Sequence, residues 1–195
     1  MHALLILAGI TGATAASAQQ TRVYTEPDKT FKEAQQLYKE GKYAVSQQLF
    51  KQTIDGIGYF KETTRSVVNT DAHYYYAMCA LKLGNDDAEK KALEFLKYFN
   101  NSAREQMVSF QLARYYFNAN KLQEAIPYYE KASIDNLSNE EIADMKFELA
   151  YCYFNVKDFA KAQPLFASIK DIQNKYYIPA NYYYGFISYY NKQYA

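Results

Sequence analysis

The sequence predicts an all-α fold: a right-handed superhelical solenoid of antiparallel helix pairs, with about four and a half repeated units. Three observations carry this. First, a short pattern recurs. Tyr116-Phe117-Asn118-Ala119-Asn120-Lys121-Leu122-Gln123-Glu124-Ala125 is echoed by Tyr153-Phe154-Asn155-Val156-Lys157-Asp158-Phe159-Ala160-Lys161-Ala162. Second, a small residue recurs at Ala34, Ala77, Ala113, Ala150 and Gly185, at intervals of 43, 36, 37 and 35 residues. Self-similarity at this period marks a stacked array of supersecondary units. Third, each copy places apolar residues at helical spacing on both sides of a short polar turn.

The elements follow in order. Residues 1–18 read as an export signal: an apolar run from Ala3 to Ala8, small residues after it, and Ala16-Ser17-Ala18 as a cleavage site before Gln19. The basic n-region of such signals is missing. The run is too short to span a membrane comfortably, and Gln19 rather than Cys follows the site, so no lipid anchor is indicated. Residues 19–29 are a polar, extended lead-in. Units are expected near 30–56, 70–101, 106–138 and 143–175, with a truncated copy at 178–195.

In the third unit Phe110, Leu112, Ala113, Tyr116 and Phe117 form the first stripe, and Leu122, Ala125, Ile126, Tyr129 and Ala132 the second. The fourth repeats this with Phe147, Leu149, Ala150 and Tyr153, then Phe159, Ala162, Leu165 and Phe166. Pro127 and Pro164 place the second helices' starts close to Leu122 and Phe159, because proline is tolerated only near a helix's first turn. The second unit is irregular: Gly84-Asn85-Asp86-Asp87 is its turn, and Ala88, Ala92, Phe95 and Phe99 carry a shifted stripe. Residues 55–70 form a longer connection whose structure the pattern does not fix. The last copy stops at its turn, which predicts further repeats beyond Ala195.

These residues resemble the tetratricopeptide repeat (TPR) family. Its hallmark is a small residue in the first helix, an aromatic three on, a short turn, then Ala and an aromatic four later. Ala113/Tyr116/Ala125/Tyr129 and Ala150/Tyr153/Ala162/Phe166 match. Ala34/Leu37/Gly41/Tyr43/Phe50 matches with Ser46 in place of the second Ala. The resemblance covers about residues 30–195 and implies a scaffold that binds a peptide or partner protein.

Composition narrows the function. Lys plus Arg is 22 against 21 Asp plus Glu, so nothing predicts a concentrated basic face for nucleic acid. Tyrosine is abundant, 22 residues with no Trp; its apolar ring and polar tip suit wet-edged cores and adaptable binding surfaces. Cys79 and Cys152 fall in units separated by a third, so both read as small packing residues rather than a disulfide. His73, placed at a helix start, lacks partners at metal spacing. Asp86-Asp87 and Glu140-Glu141 sit near helix starts, where the dipole favours them. No nucleophile elbow or glycine-rich phosphate loop is present. The sequence therefore predicts no enzyme, no cofactor and no metal.

A stripe remains. Residues seven apart share a helix face: Phe31/Tyr38, Tyr74/Leu81, Phe110/Phe117, Phe147/Phe154 and Tyr182/Tyr189. The family resemblance implies that such residues line a concave groove. It adds Met78, Arg114, Tyr151 and Phe186 between the pairs, and Lys82, Asn118, Asn155 and Tyr190 at a polar edge. The same stripe is also what burial alone would produce. Three readings of function stand: an exported envelope scaffold binding a peptide or protein on this groove, a spacer or self-association module, and an array whose catalytic domain lies beyond Ala195.

Overall fold

The computed structural model describes residues 27–99, 103–135 and 137–192; the export signal and most of the lead-in lie outside them. Among the described residues the chain forms nine α-helices and no strand. They are α1 (Pro27–Lys39), α2 (Tyr43–Asp55), α3 (Glu62–Leu83), α4 (Ala88–Tyr98), α5 (Ala103–Asn118), α6 (Leu122–Lys131), α7 (Asn139–Asn155), α8 (Phe159–Ala167) and α9 (Tyr177–Tyr190), with a 3-10 turn at Ile57–Tyr59. Each helix packs on the next, and α1 packs on α3, α3 on α5 and α5 on α7. Four helix pairs are thus stacked as a solenoid, and α9 is the first helix of a fifth unit.

One backbone device closes each turn. Gly41, Gly84, Asn120, Lys157 and Lys192 occupy equivalent positions, and all have left-handed φ values of 73°, 66°, 57°, 64° and 55°. In the first four units the following N–H reaches a carbonyl five residues back. These bonds are Lys42 to Leu37, Asn85 to Ala80, Lys121 to Tyr116 and Asp158 to Tyr153, at 2.9, 3.1, 2.8 and 2.9 Å. This 6→1 bond satisfies a carbonyl left over at the helix C-terminus.

The small residues are where the helices meet. Ala34, Ala113, Ala150, Ala125 and Ala162 are wholly buried. Ser46 also has no exposure, and its hydroxyl donates to the Ala34 carbonyl at 2.8 Å. A serine therefore fits the alanine position because its one donor has an acceptor on the facing helix.

The structure revises several expectations. The connection at 55–70 is mostly helix: α3 starts at Glu62 and runs 22 residues, which accounts for the long first interval. Consequently His73 lies mid-helix, its ring 4.9 Å from that of Phe99. The lead-in is shorter than 19–29, because α1 begins at Pro27. The second helices do start at Leu122 and Phe159, but Pro127 and Pro164 are each the sixth residue, beyond the first turn. Each removes the donor for the carbonyl four residues back, at Gln123 and Ala160. Both of those residues are exposed, so water can serve instead. Ser138 forms a full capping box with Glu141 at the start of α7, which explains that acidic pair. Both cysteines are free and buried.

Candidate functional site

The seven-residue stripe resolves into two surfaces. Its main part is the seam between the two helices of each unit. Phe31 meets Phe50 at 6.0 Å between ring centroids, Tyr38 meets Tyr43 at 5.3 Å and Tyr74 meets Phe95 at 6.0 Å. Phe110 meets Tyr129 at 6.4 Å, Phe147 meets Phe166 at 5.8 Å and Phe154 meets Phe159 at 5.4 Å. Tyr74, Met78 and Phe110 are accordingly buried, at 4%, 2% and 0% exposure, and are removed from the candidate groove. Arg104 closes over Tyr74, its guanidinium 4.5 Å from the ring centroid and paired with Asp71. Leu81 is half-buried against the core.

Arg114 also turns inward. Its guanidinium reaches Asp144 Oδ2 and Glu148 Oε2, both at 3.3 Å. Asp144 and Glu148 are only 4% and 6% exposed. Lys175 Nζ lies 2.7 Å from Asp144 Oδ1, and the Tyr176 hydroxyl donates to the same oxygen at 2.9 Å. The Tyr129 hydroxyl donates to Glu148 at 2.5 Å. Two carboxylates are thus balanced by two cations, and the cluster ties α5, α6, α7 and the segment before α9 together. Burial raises the Glu148 carboxyl pKa, with Asp144 adding to the rise, while Tyr129 and Arg114 oppose it. Burial and the neighbouring carboxylates push the Tyr129 and Tyr176 hydroxyls well above the usual tyrosine value. Sequence reasoning missed Asp144 and Glu148. Their four-residue spacing on α7 was legible, but their inward direction depends on α5.

The second surface is a ladder of rings. Phe117 contacts Tyr151 at 5.8 Å, Tyr151 contacts Tyr183 at 5.5 Å and Phe154 contacts Tyr183 at 4.8 Å. Phe186 joins at 5.3 Å from Phe154, and Tyr190 at 5.0 Å from Phe159. The edge-to-face geometry fixes these rings on one another. Phe117, Phe147, Tyr151 and Phe154 are half-buried. Exposure then climbs on α9: Phe186 42%, Tyr190 64%, Tyr182 65% and Tyr189 71%. Lys82, Asn118 and Asn155 are exposed, and Asn155 Nδ2 donates to the Tyr151 carbonyl at 2.8 Å. Such a surface offers apolar ring faces with hydroxyls and amides at the margin. Among the described residues no group of three His, Cys, Asp or Glu could hold a metal ion. No helix there is long and apolar enough to cross a membrane.

Comparison with known proteins agrees with this architecture. Residues 110–176 match the tetratricopeptide repeat family model. No curated protein sequence matches the chain. A solved structure of a MamA mutant is similar in fold, with a TM-score of 0.59 at 17% identity over 89% of this chain and 90% of that one. The family match covers α6, α7, α8 and most of α5, and the fold likeness extends over nearly all of the stacked pairs. Residues 110–176 thus carry the tetratricopeptide repeat, and the likeness in fold extends the same helix-pair solenoid over nearly all of the described chain.

Proposed function

We propose that the protein is a non-catalytic interaction scaffold of a bacterial cell envelope, holding a peptide or partner protein against the ring ladder. The observation that carries this is the ladder itself, a run of edge-to-face rings across three successive units in which Phe186 and Tyr190 join Phe117, Tyr151 and Phe154. Large, stiff aromatic residues supply contact area at low cost in conformational entropy and are enriched at binding hot spots. Asn118 and Asn155 border the rings and carry both donors and acceptors for a peptide backbone. The envelope location rests on the leader-like residues 1–18.

Phe186→Ala/Tyr190→Ala tests the face. Crosslinking to envelope proteins is compared with wild type after circular dichroism confirms equal helicity. Loss of the crosslinked partner is expected; an unchanged partner band refutes the ladder as the binding face. Fractionation of the expressed chain, with N-terminal sequencing, tests export: cleavage after Ala18 is expected, and an intact cytoplasmic chain refutes it.

A second reading, a spacer or self-association module, is favoured by α9, which carries no charged residue from Tyr177 to Tyr190. Sedimentation equilibrium distinguishes the two: a dimer that persists at micromolar concentration favours self-association.

A further inference from the structure

The second unit carries a charge where the other three carry a small buried residue. Each second helix starts seven residues before the ring that packs on its unit's first helix: Tyr43 before Phe50, Ala88 before Phe95, Leu122 before Tyr129 and Phe159 before Phe166. The fourth residue of that helix is Ser46, Ala125 or Ala162 in three units, each without exposure. In α4 it is Lys91. A lysine cannot occupy the close backbone approach that a small residue allows. Ala88 and Ala92 are the buried small residues of α4 instead, and the Lys91 ammonium lies 5.1 Å from the Tyr76 ring centroid.

Beside Lys91 a cavity of about 530 Å³ opens between α2, α3 and α4. Small-ligand sites span roughly 300–1,000 Å³. The same place in the third unit is closed: Ser109, Leu112 and Ala125 stand where His73, Tyr76 and Lys91 stand, and none of the three has any exposure. One wall of the cavity is a ledge of rings, with Phe95 stacked on Phe99 at 5.2 Å and His73 against Phe99 at 4.9 Å. Lys51 on α2 and Lys91 bring positive charge to the cavity, and Glu94 on α4 brings negative charge. Asp55 and Asp87, the partners of the two lysines, have side chains 60% and 56% exposed. Such surface pairs are weak, so the lysines can be shared with a ligand. Among the described residues the Glu94 carboxylate and the His73 ring nitrogens have no hydrogen bond or ion pair. Burial lowers the His73 pKa; Glu94 opposes the fall and Lys51 adds to it. The uncharged imidazole offers one donor and one acceptor.

We infer that this cavity binds a free α-amino acid with an aromatic or large aliphatic side chain. The ligand's carboxylate pairs with Lys51 and Lys91, its ammonium with Glu94, and its side chain lies on the ledge of Phe95 and Phe99. Both ligand charges are needed for this fit. A simple organic anion would be repelled by Glu94, and a simple cation by two lysines. Like-charge contacts of this kind select against a partner as effectively as good contacts select for one. Lys91, with a side chain only 12% exposed, has already given up most of its hydration and loses least on meeting a carboxylate. The cavity lies on α2, α3 and α4, whereas the ring ladder lies on α5, α7, α8 and α9, so a ligand here leaves the ladder free.

The probe is L-phenylalanine, titrated against the 195-residue chain and followed by saturation-transfer NMR. Two analogues accompany it: phenylpropionate, which lacks the ammonium, and phenethylamine, which lacks the carboxylate. Saturable binding of phenylalanine is expected, with each analogue weaker by about fivefold, the upper scale for one partly solvated ion pair. Glu94→Gln should weaken phenylalanine by about the same factor and leave phenylpropionate no weaker, because that ligand has no ammonium to lose its partner. Lys51→Met should weaken phenylalanine and spare phenethylamine. Lys51 and Glu94 are both exposed, and circular dichroism checks that the variants keep the wild-type helicity. Absence of saturable phenylalanine binding up to about 10 mM overturns the proposal. Equal or tighter binding of either analogue overturns it too, as does phenylalanine binding that both substitutions leave unchanged.

Discussion

Removing Arg114 should expose what holds the third unit to the fourth and fifth. Arg114 has 29% side-chain exposure and lies between two carboxylates whose side chains are 6% and 7% exposed. Arg114→Leu keeps the stem's packing and deletes the guanidinium. The cluster then changes from two cations against two carboxylates to one against two. Breaking a buried ion pair from one side costs about 3–5 kcal/mol. Here Lys175, Tyr176 and Tyr129 remain on the carboxylates at 2.7, 2.9 and 2.5 Å. The expected loss is therefore nearer ~2–3 kcal/mol at neutral pH. For a domain of this size that lowers Tm by roughly 5–10 °C.

The pH dependence has a definite sign. The Glu148 carboxyl pKa is raised above 4.5 by burial, and Arg114 is one of the groups restraining the rise. Without Arg114 the folded value climbs further. A carboxyl that holds its proton more tightly when folded favours the folded state at low pH, and that contribution disappears as pH rises through the folded value. The deficit of Arg114→Leu should therefore be smaller near pH 4.5 than at neutral pH. Arg114→Leu/Glu148→Gln should recover part of the neutral-pH loss. Urea denaturation followed by circular dichroism measures both effects. A neutral-pH deficit below about 1 kcal/mol, or one that does not shrink on acidification, would refute the account of this cluster.

Other consequences are simpler to check. Gly84→Ala should cost about 1 kcal/mol, because Gly84 has φ of +66° and an added Cβ meets no neighbour, so only the backbone conformation is penalised; Lys157→Gly at the equivalent turn should stabilise, and thermal melts compare the two. Phe166→Ala should cost about 3–5 kcal/mol, since this ring has no exposure and packs on Phe147 and Tyr183 at 5.8 and 5.3 Å. Ser138→Ala should cost about 1 kcal/mol by opening the capping box of α7, read as a lower urea midpoint. Burial pushes the Cys79 thiol up to about 11 and the Cys152 thiol up to about 12, so neither should react with a thiol reagent until the chain is unfolded.

Much of the architecture was legible in the residues because it is local. The turn positions Gly41 and Gly84, the starts at Leu122 and Phe159, and the small residues Ala34, Ala77, Ala113 and Ala150 all follow from periodicity and backbone chemistry. The start of α3 escaped notice because Thr63, Thr64 and Thr70 are weak helix formers; in the helix the Thr64 and Thr70 hydroxyls donate to the Lys61 and Ser66 carbonyls. The candidate face was only partly legible. Tyr74 and Phe110 sit at the same stripe positions as Tyr182, yet the former are buried and the latter is 65% exposed. Spacing alone cannot separate those cases, since a periodic stripe reports a shared face and not what lies over it.

The sequence by itself therefore determined the helices, their pairing and the period at which they stack, since each depends on contacts within one unit or with its neighbour. The tertiary structure alone decided which stripe residues face solvent and that Arg114 turns inward to Asp144 and Glu148. Those outcomes depend on which helix lies across a given face, and the residues of that face do not encode the covering helix.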